Sequence, residues 1–243
     1  MKLIISLLLL CFFVAGCNFC DFNSTPKPYE VHYTSTPIKI DGKLDEAAWK
    51  KAKPLDFRAL PKYTCTEKGI VKMLWDDKYV YVAGVLHDSD IVQESTENWQ
   101  HHYTTGDLME VFLKPENQRY YWEIYSTPNN LKTSFFFLSQ GRLGLPSGFN
   151  YKIPGLKVAS ICDGTFNNAK DIDKLWTTEI AIPRKELEKL GEKITAGKVW
   201  TYLIGRYNYS VHLDKKELTT SVHPKSGNFH DFTSWSYLKF VKP

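Results

Sequence analysis

The 243-residue sequence predicts an all-β domain, an antiparallel β-sandwich of the jelly-roll or immunoglobulin-like kind with one or two short helices. Three observations predict it. Apolar residues alternate with polar ones in many short segments, turn residues separate those segments, and helical spacing is confined to two places. Ile38 and Ile40 alternate with polar neighbours and run into Asp41-Gly42, so a first strand ends there. Leu44, Ala47, Ala48 and Trp49 then have helical spacing, with Asp45 and Glu46 where negative charge suits a helix N-terminus. This predicts a short cap that lays Trp49 across one end of the sandwich.

Val71, Met73 and Trp75 alternate, Asp76-Asp77-Lys78 reverses the chain, and Tyr79 to Leu86 returns almost wholly apolar. That is a hairpin whose second strand carries β-branched and aromatic residues on both faces, as a central strand does. Leu108 to Leu113, Tyr120 to Tyr125, Thr133 to Leu138, Leu156 to Ile161, Trp176 to Ile182, Val199 to Tyr207 and Trp235 to Val241 supply the remaining strands. A second helix is predicted over Pro183 to Leu190, because Pro183 suits a first turn and Gly191 a stop.

Ahead of the domain, Lys2 precedes an apolar run from Leu3 to Val14, shorter than the roughly 20 residues of a membrane-spanning helix. Residues 1–16 are read as a signal peptide, which implies export. The run ends in Val14-Ala15-Gly16-Cys17, which resembles the lipobox of bacterial lipoproteins. The resemblance implies a lipid on Cys17 and a membrane anchor that does not span. Asn18 stands where an aspartate would favour the inner membrane, which points to the outer membrane on either its periplasmic or its cell-surface face. Residues 17–30 are polar, with Ser24, Thr25, Pro26 and Pro28, and read as a flexible tether. Residues 31–243 fit one large β domain.

The formal charge is +4 and both signs are mixed along the chain, so no basic stripe argues for nucleic acid. Cys11 falls in the signal peptide and Cys20 in the tether, while Cys65 and Cys162 lie in the domain, either as a disulfide or as two buried thiols. Fourteen tyrosines, fourteen phenylalanines and seven tryptophans exceed what a sandwich core needs, which places some of them where a ligand could use them.

Five segments occur in a fixed order: IDGKLDEAAW from Ile40, LWDDKYVYVAGVLHD from Leu74, GDLMEVFL from Gly106, LWTTEIAIPRKEL from Leu175 and FHDFTSWSYLKF from Phe229. Together they resemble the family 9 carbohydrate-binding modules, over roughly Val31 to Val241. The resemblance implies a non-catalytic sandwich that holds an oligo- or polysaccharide between two aromatic rings. Carried over by position, these are Trp99 or Tyr103, in the long polar segment His87 to Gly106, and Phe229. Thr104 and Phe229 replace the aromatic and the tryptophan of the best-known pattern, so the clamp has been rebuilt. Asp107, Glu110, Glu123, Arg206 and His230 are the candidate partners for sugar hydroxyls, with Arg206 alternatively pairing with Glu110 or Glu123 inside the sheet. Glu179 is assigned to the framework.

No cofactor is expected, although relatives can bind calcium and the turns Asp76-Asp77 and Asp88-Ser89-Asp90 offer suitable oxygens. The competing functions are three. Family 9 modules accompany glycoside hydrolases, and hydrolysis would need two carboxylates roughly 5 to 10 Å apart, here Asp88 with Glu110. Related sandwiches hold haem, for which Met73 or Met109 with His87, His101 or His102 would serve. The third is a protein-interaction domain of a surface complex.

Overall fold

The computed structural model describes residues 27–142 and 151–243. The signal peptide, Cys17 and most of the tether lie outside the described residues. Thirteen strands and two short helices follow one another as β1 (Tyr29–Tyr33), α1 (Ala47–Lys51), β2 (Leu55–Asp56), β3 (Arg58–Ala59), β4 (Gly69–Trp75), β5 (Tyr79–His87), β6 (Leu108–Pro115), β7 (Tyr121–Ser126), β8 (Lys132–Phe137), β9 (Lys157–Asp163), β10 (Leu175–Pro183), α2 (Arg184–Leu187), β11 (Val199–Asn208), β12 (Glu217–Thr220) and β13 (Ser236–Val241).

The expectation of an antiparallel sandwich is corrected by the hydrogen bonding. The described strands form one 13-stranded sheet in the order β8-β7-β6-β11-β13-β1-β4-β5-β10-β9, with no break into two sheets. β1 is parallel to both of its neighbours, matching Tyr29 with Leu238 and His32 with Leu74. β2 pairs with β4, while β3 pairs with β12 and so reaches β11, which ties the curl across a second route and makes it nearly closed and barrel-like. Alternation reports which face of a strand is buried, not which edge it pairs, so the continuous ladder had no signature in the pattern. β1 itself begins inside the segment read as tether.

The core lies inside the curl. Met109 of β6 meets Gly84 of β5, where an added Cβ would fall 2.8 Å from its sulfur, and Ser126 of β7 bonds Thr178 of β10 at 2.6 Å. The opposite face of β6, β7, β8 and β11 is also covered. Registers that oppose Glu110 to Tyr125, Phe112 to Glu123 and Tyr121 to Phe137 put those side chains on one face, and all six are buried or have aromatic partners. The surplus of aromatics forms this second layer, with Phe112, Tyr121, Phe229, Phe232 and Trp235 in mutual ring contact.

The IDGKLDEAAW motif is a clip on the outer face of β4, β5 and β10. It does not cap an end. Trp49 packs there with Ile38, Leu74, Tyr81, Ala83 and Ala181. Glu179 holds it, accepting the N–H groups of Asp41 and Gly42 and the indole of Trp49. Gly42 has φ +83° and its backbone presses on Ser160, so a side chain there meets both strain and carbonyl carbon at 2.9 Å. Ile38 and Ile40 are not in a strand, because they pack on this face with no neighbouring chain to pair their backbone. Cys65 and Cys162 are free thiols, facing the Phe57 and Pro128 carbonyls respectively.

Candidate functional site

Alternation along β11 decides how the predicted residues are distributed. Gly205 and Tyr207 point to the second aromatic layer, whereas Arg206 and Asn208 point into the curl. Gly205 opposes Glu110 across the ladder, so Arg206 stands on the other face from Glu110 and Glu123. Its guanidinium instead bonds the carbonyl of His87 at 2.6 Å, Asp88 at 3.1 Å and Asn208 at 3.0 Å. Neither a sugar contact nor the expected pairing with Glu110 or Glu123 is seen. Trp176 donates its indole N–H to the same Asp88 oxygen, and burial pushes the Asp88 carboxyl up to about 7 despite the guanidinium beside it. Asp107 is likewise structural. It is fully buried, its oxygens accept the backbone N–H groups of Val92 and Tyr209, and burial raises its pKa.

Four of the eight candidate residues do meet. Tyr103, Glu110, Phe229 and His230, with Tyr207 and Asn228, line a pocket of about 290 Å³ over the second aromatic layer. Phe229 lies flat on Gly205, where a Cβ would be 3.0 Å from its ring, and its carbonyl accepts the indole N–H of Trp235. This fixes the loop that carries Asn228 and His230. His230 Nδ1 shares a 2.6 Å hydrogen bond with the Tyr121 hydroxyl, its Nε2 lies 3.6 Å from Glu123, and Glu123 accepts the Tyr125 hydroxyl. Tyr103 and Tyr207 form a tilted pair with centroids 5.6 Å apart, and the Tyr103 carbonyl accepts the Tyr209 hydroxyl. Burial, then the nearby Glu110 and Glu123 carboxylates, raise the Tyr207 pKa well above the ordinary phenol value.

Trp99 is elsewhere. It has φ +71°, and Lys132 and Lys152 place their ammonium groups 6.0 and 5.8 Å from its ring. Tyr207 was not among the expected residues, yet its position next to Arg206 on an alternating strand carried the signal. Tyr103 was expected as one of two alternatives, with Trp99, for the first ring.

In the turns expected to suit calcium, Asp76 and Asp88 are bonded within the fold, while Asp77 is exposed and Asp90 Oδ1 is buried with no hydrogen-bond partner among the described residues. Asp76 accepts from Lys78, Tyr79 and Tyr81, and Asp88 from Asp90, Trp176 and Arg206. Among the described residues no group of three or more His, Cys, Asp or Glu side chains could hold a metal ion. Met73 and Met109 are both fully buried, and Met109 is packed against Gly84, while His87 is exposed at the end of β5.

A rigid, curled β domain with a ring-walled, hydrogen-bonding pocket is a ligand-binding module. The family described as carbohydrate family 9 binding domain-like matches residues 40–236, and the chain belongs to it. The exoglucanase XynX of Acetivibrio thermocellus is 30% identical over 96 residues, 40% of this chain, and the match spans only 8% of that relative's length. Two solved structures share the fold. A protein from Bacteroides uniformis proposed to bind carbohydrate superposes with TM-score 0.66 at 12% identity, covering 88% of this chain and 99% of its own. A family 9 module from Caldicellulosiruptor kristjanssonii in complex with cellotriose does so at 0.60 and 15%, covering 89% and 95%.

Proposed function

We propose that this domain binds carbohydrate without cleaving it, holding a sugar in the pocket between Tyr103, Tyr207, Glu110 and His230. The observation that carries the reading is the tyrosine pair set beside a buried carboxylate and an imidazole on one pocket wall. The C–H face of a pyranose packs on a ring, while its hydroxyls need acceptors and donors at fixed angles. A cavity near 300 Å³ is at the small end of ligand sites, which suits one sugar unit and its flanks. Family membership supports the same conclusion.

Asp88 and Glu110 do not form a hydrolytic pair, because Asp88 is bound to Arg206 on the opposite face from Glu110. The domain therefore acts by capture, and any partner glycoside hydrolase or surface-complex protein would supply the chemistry. With Cys17 lipidated, capture takes place at a membrane surface, which Cys17→Ser tests by releasing the protein from the membrane fraction. The ligand test is calorimetry with cello- and xylo-oligosaccharides together with an assay of reducing ends. Binding that Tyr103→Ala and His230→Ala each weaken, with no new reducing ends, supports the reading. Binding that ignores both variants, or sugar release that depends on Glu110, overturns it.

A further inference from the structure

A second groove, on the other side of β11 from the first pocket, has the opposite chemical character. It has a volume of about 360 Å³ and opens where β1, β11 and β13 meet the Leu55–Ala59 segment. Lys27, Lys53, Arg58 and His223 line it, and all four are exposed. Among the described residues no carboxylate lies within ion-pair distance of Lys27, Lys53 or Arg58. Glu30 is the one acidic residue lining the groove, and its nearest cationic partner is His32 at 3.9 Å.

The floor is aromatic. Tyr29 and Tyr202 have centroids 6.1 Å apart, and Tyr29 donates its hydroxyl to the Lys53 carbonyl at 2.6 Å, which ties that lysine's backbone to the floor. Tyr202 is buried, and burial raises its phenol pKa against the opposing charge of Arg58. Tyr237 stands at the side with 37% of its surface exposed, so its ring is open to stacking.

We propose that this groove is a second saccharide site, which takes a uronate-bearing sugar: Arg58, Lys53 and Lys27 meet the carboxylate, and Tyr237 meets the pyranose face. Three like charges gathered without counter-ions repel one another, and an anion bound among them relieves that repulsion. The guanidinium fork matches a planar carboxylate in two parallel hydrogen bonds, and an aromatic side wall matches a sugar ring. A bilayer presents a flat surface, which cannot enter a concave groove with its floor beneath the cations. The two pockets thus divide the chemistry, with carboxylates of the protein at the first and carboxylates of the ligand at the second.

The test uses the full chain and measures oligogalacturonide binding by calorimetry, with cellotriose, inorganic phosphate and phosphatidylglycerol vesicles as separate arms. Arg58→Ala and Lys53→Ala should each weaken oligogalacturonide binding about tenfold. Tyr237→Ala should weaken it as well, and none of the three should alter cellotriose binding. Tyr103→Ala should have the reverse pattern, so failure of the first site and failure of the second are distinguishable. No oligogalacturonide binding, or binding that the groove variants leave unchanged, overturns the proposal. So does phosphate competing at the same concentration as the uronate, or vesicles binding more tightly than the oligosaccharide. All three substituted positions are exposed, and circular dichroism of each variant confirms that the fold is retained.

Discussion

Glu179 accepts the indole N–H of Trp49 at 3.0 Å, and its other oxygen takes the backbone N–H groups of Asp41 and Gly42 at 3.1 and 2.9 Å. One buried side chain on β10 thereby holds the whole N-terminal clip to the sheet. Glu179→Ala strands three donors, and a loss of about 3 kcal/mol is expected. Urea unfolding measures it, and a change below about 0.5 kcal/mol would show that the clip is held by packing alone.

The same carboxyl sets a pH dependence. Burial pushes the Glu179 pKa up from 4.5 to about 7, against the pull of its three N–H donors. The folded state therefore keeps a proton that the unfolded chain has already released, so this contribution is complete below pH 4.5 and fades as pH rises to about 7. Burial shifts Asp88 in the same direction. The melting temperature should fall from pH 5 to pH 8, and Glu179→Gln should flatten that slope, as read by calorimetry across the series.

Arg206 and Asp88 are a buried pair, and truncating one strips the other of its hydrogen-bonding partner in the interior. Arg206→Met should cost about 3–5 kcal/mol. The double variant with Asp88→Asn should recover part of that loss, and a double-variant cycle with no coupling would contradict the pairing.

Gly205→Ala tests the seat of Phe229. The new Cβ would lie 3.0 Å from the ring, so Phe229 must tilt into the pocket. Sugar binding should weaken, while stability falls by only about 1–2 kcal/mol. An unchanged Kd would mean that the Phe229 loop does not shape the ligand site.

Trp99 and Tyr103 are close in sequence and separate in role. Tyr103→Ala should raise the Kd about fivefold, equivalent to about 1 kcal/mol of ring stacking. Trp99→Ala should leave the Kd unaltered, because Lys132 and Lys152 lie over its ring and it does not line the pocket of Tyr103.

The hairpin of β4 and β5 was legible because β-strand alternation and an Asp-Asp-Lys turn coincide there, and the remaining strands longer than five residues were found to within two residues at most ends. β1 was hidden because its five residues, YEVHY, follow a polar tether and owe their place to long-range pairing. The second helix is four residues long, not eight, and is capped at Glu188, whose carboxylate accepts from the Arg184 guanidinium and from the N–H of Ile194. At the candidate site, the expected residues Glu110, Phe229 and His230 line one pocket, but Arg206 and Asp107 carry similar chemistry and are bonded into the framework. Only the side of the sheet separates them, and that depends on which strands become neighbours.

The parallel seat of β1 between β13 and β4 also governs how the protein can be made. Tyr29 pairs with Leu238, so a strand that leaves the ribosome early has no complete edge to join until some two hundred further residues have been translated. Until then β1 and β11, the two neighbours of β13, expose unpaired edges, the condition under which sheet proteins aggregate or recruit chaperones. High separation between paired strands also slows closure. Synthesis and sheet completion are thus separate events, and the exposed interval between them is built into the order of the strands.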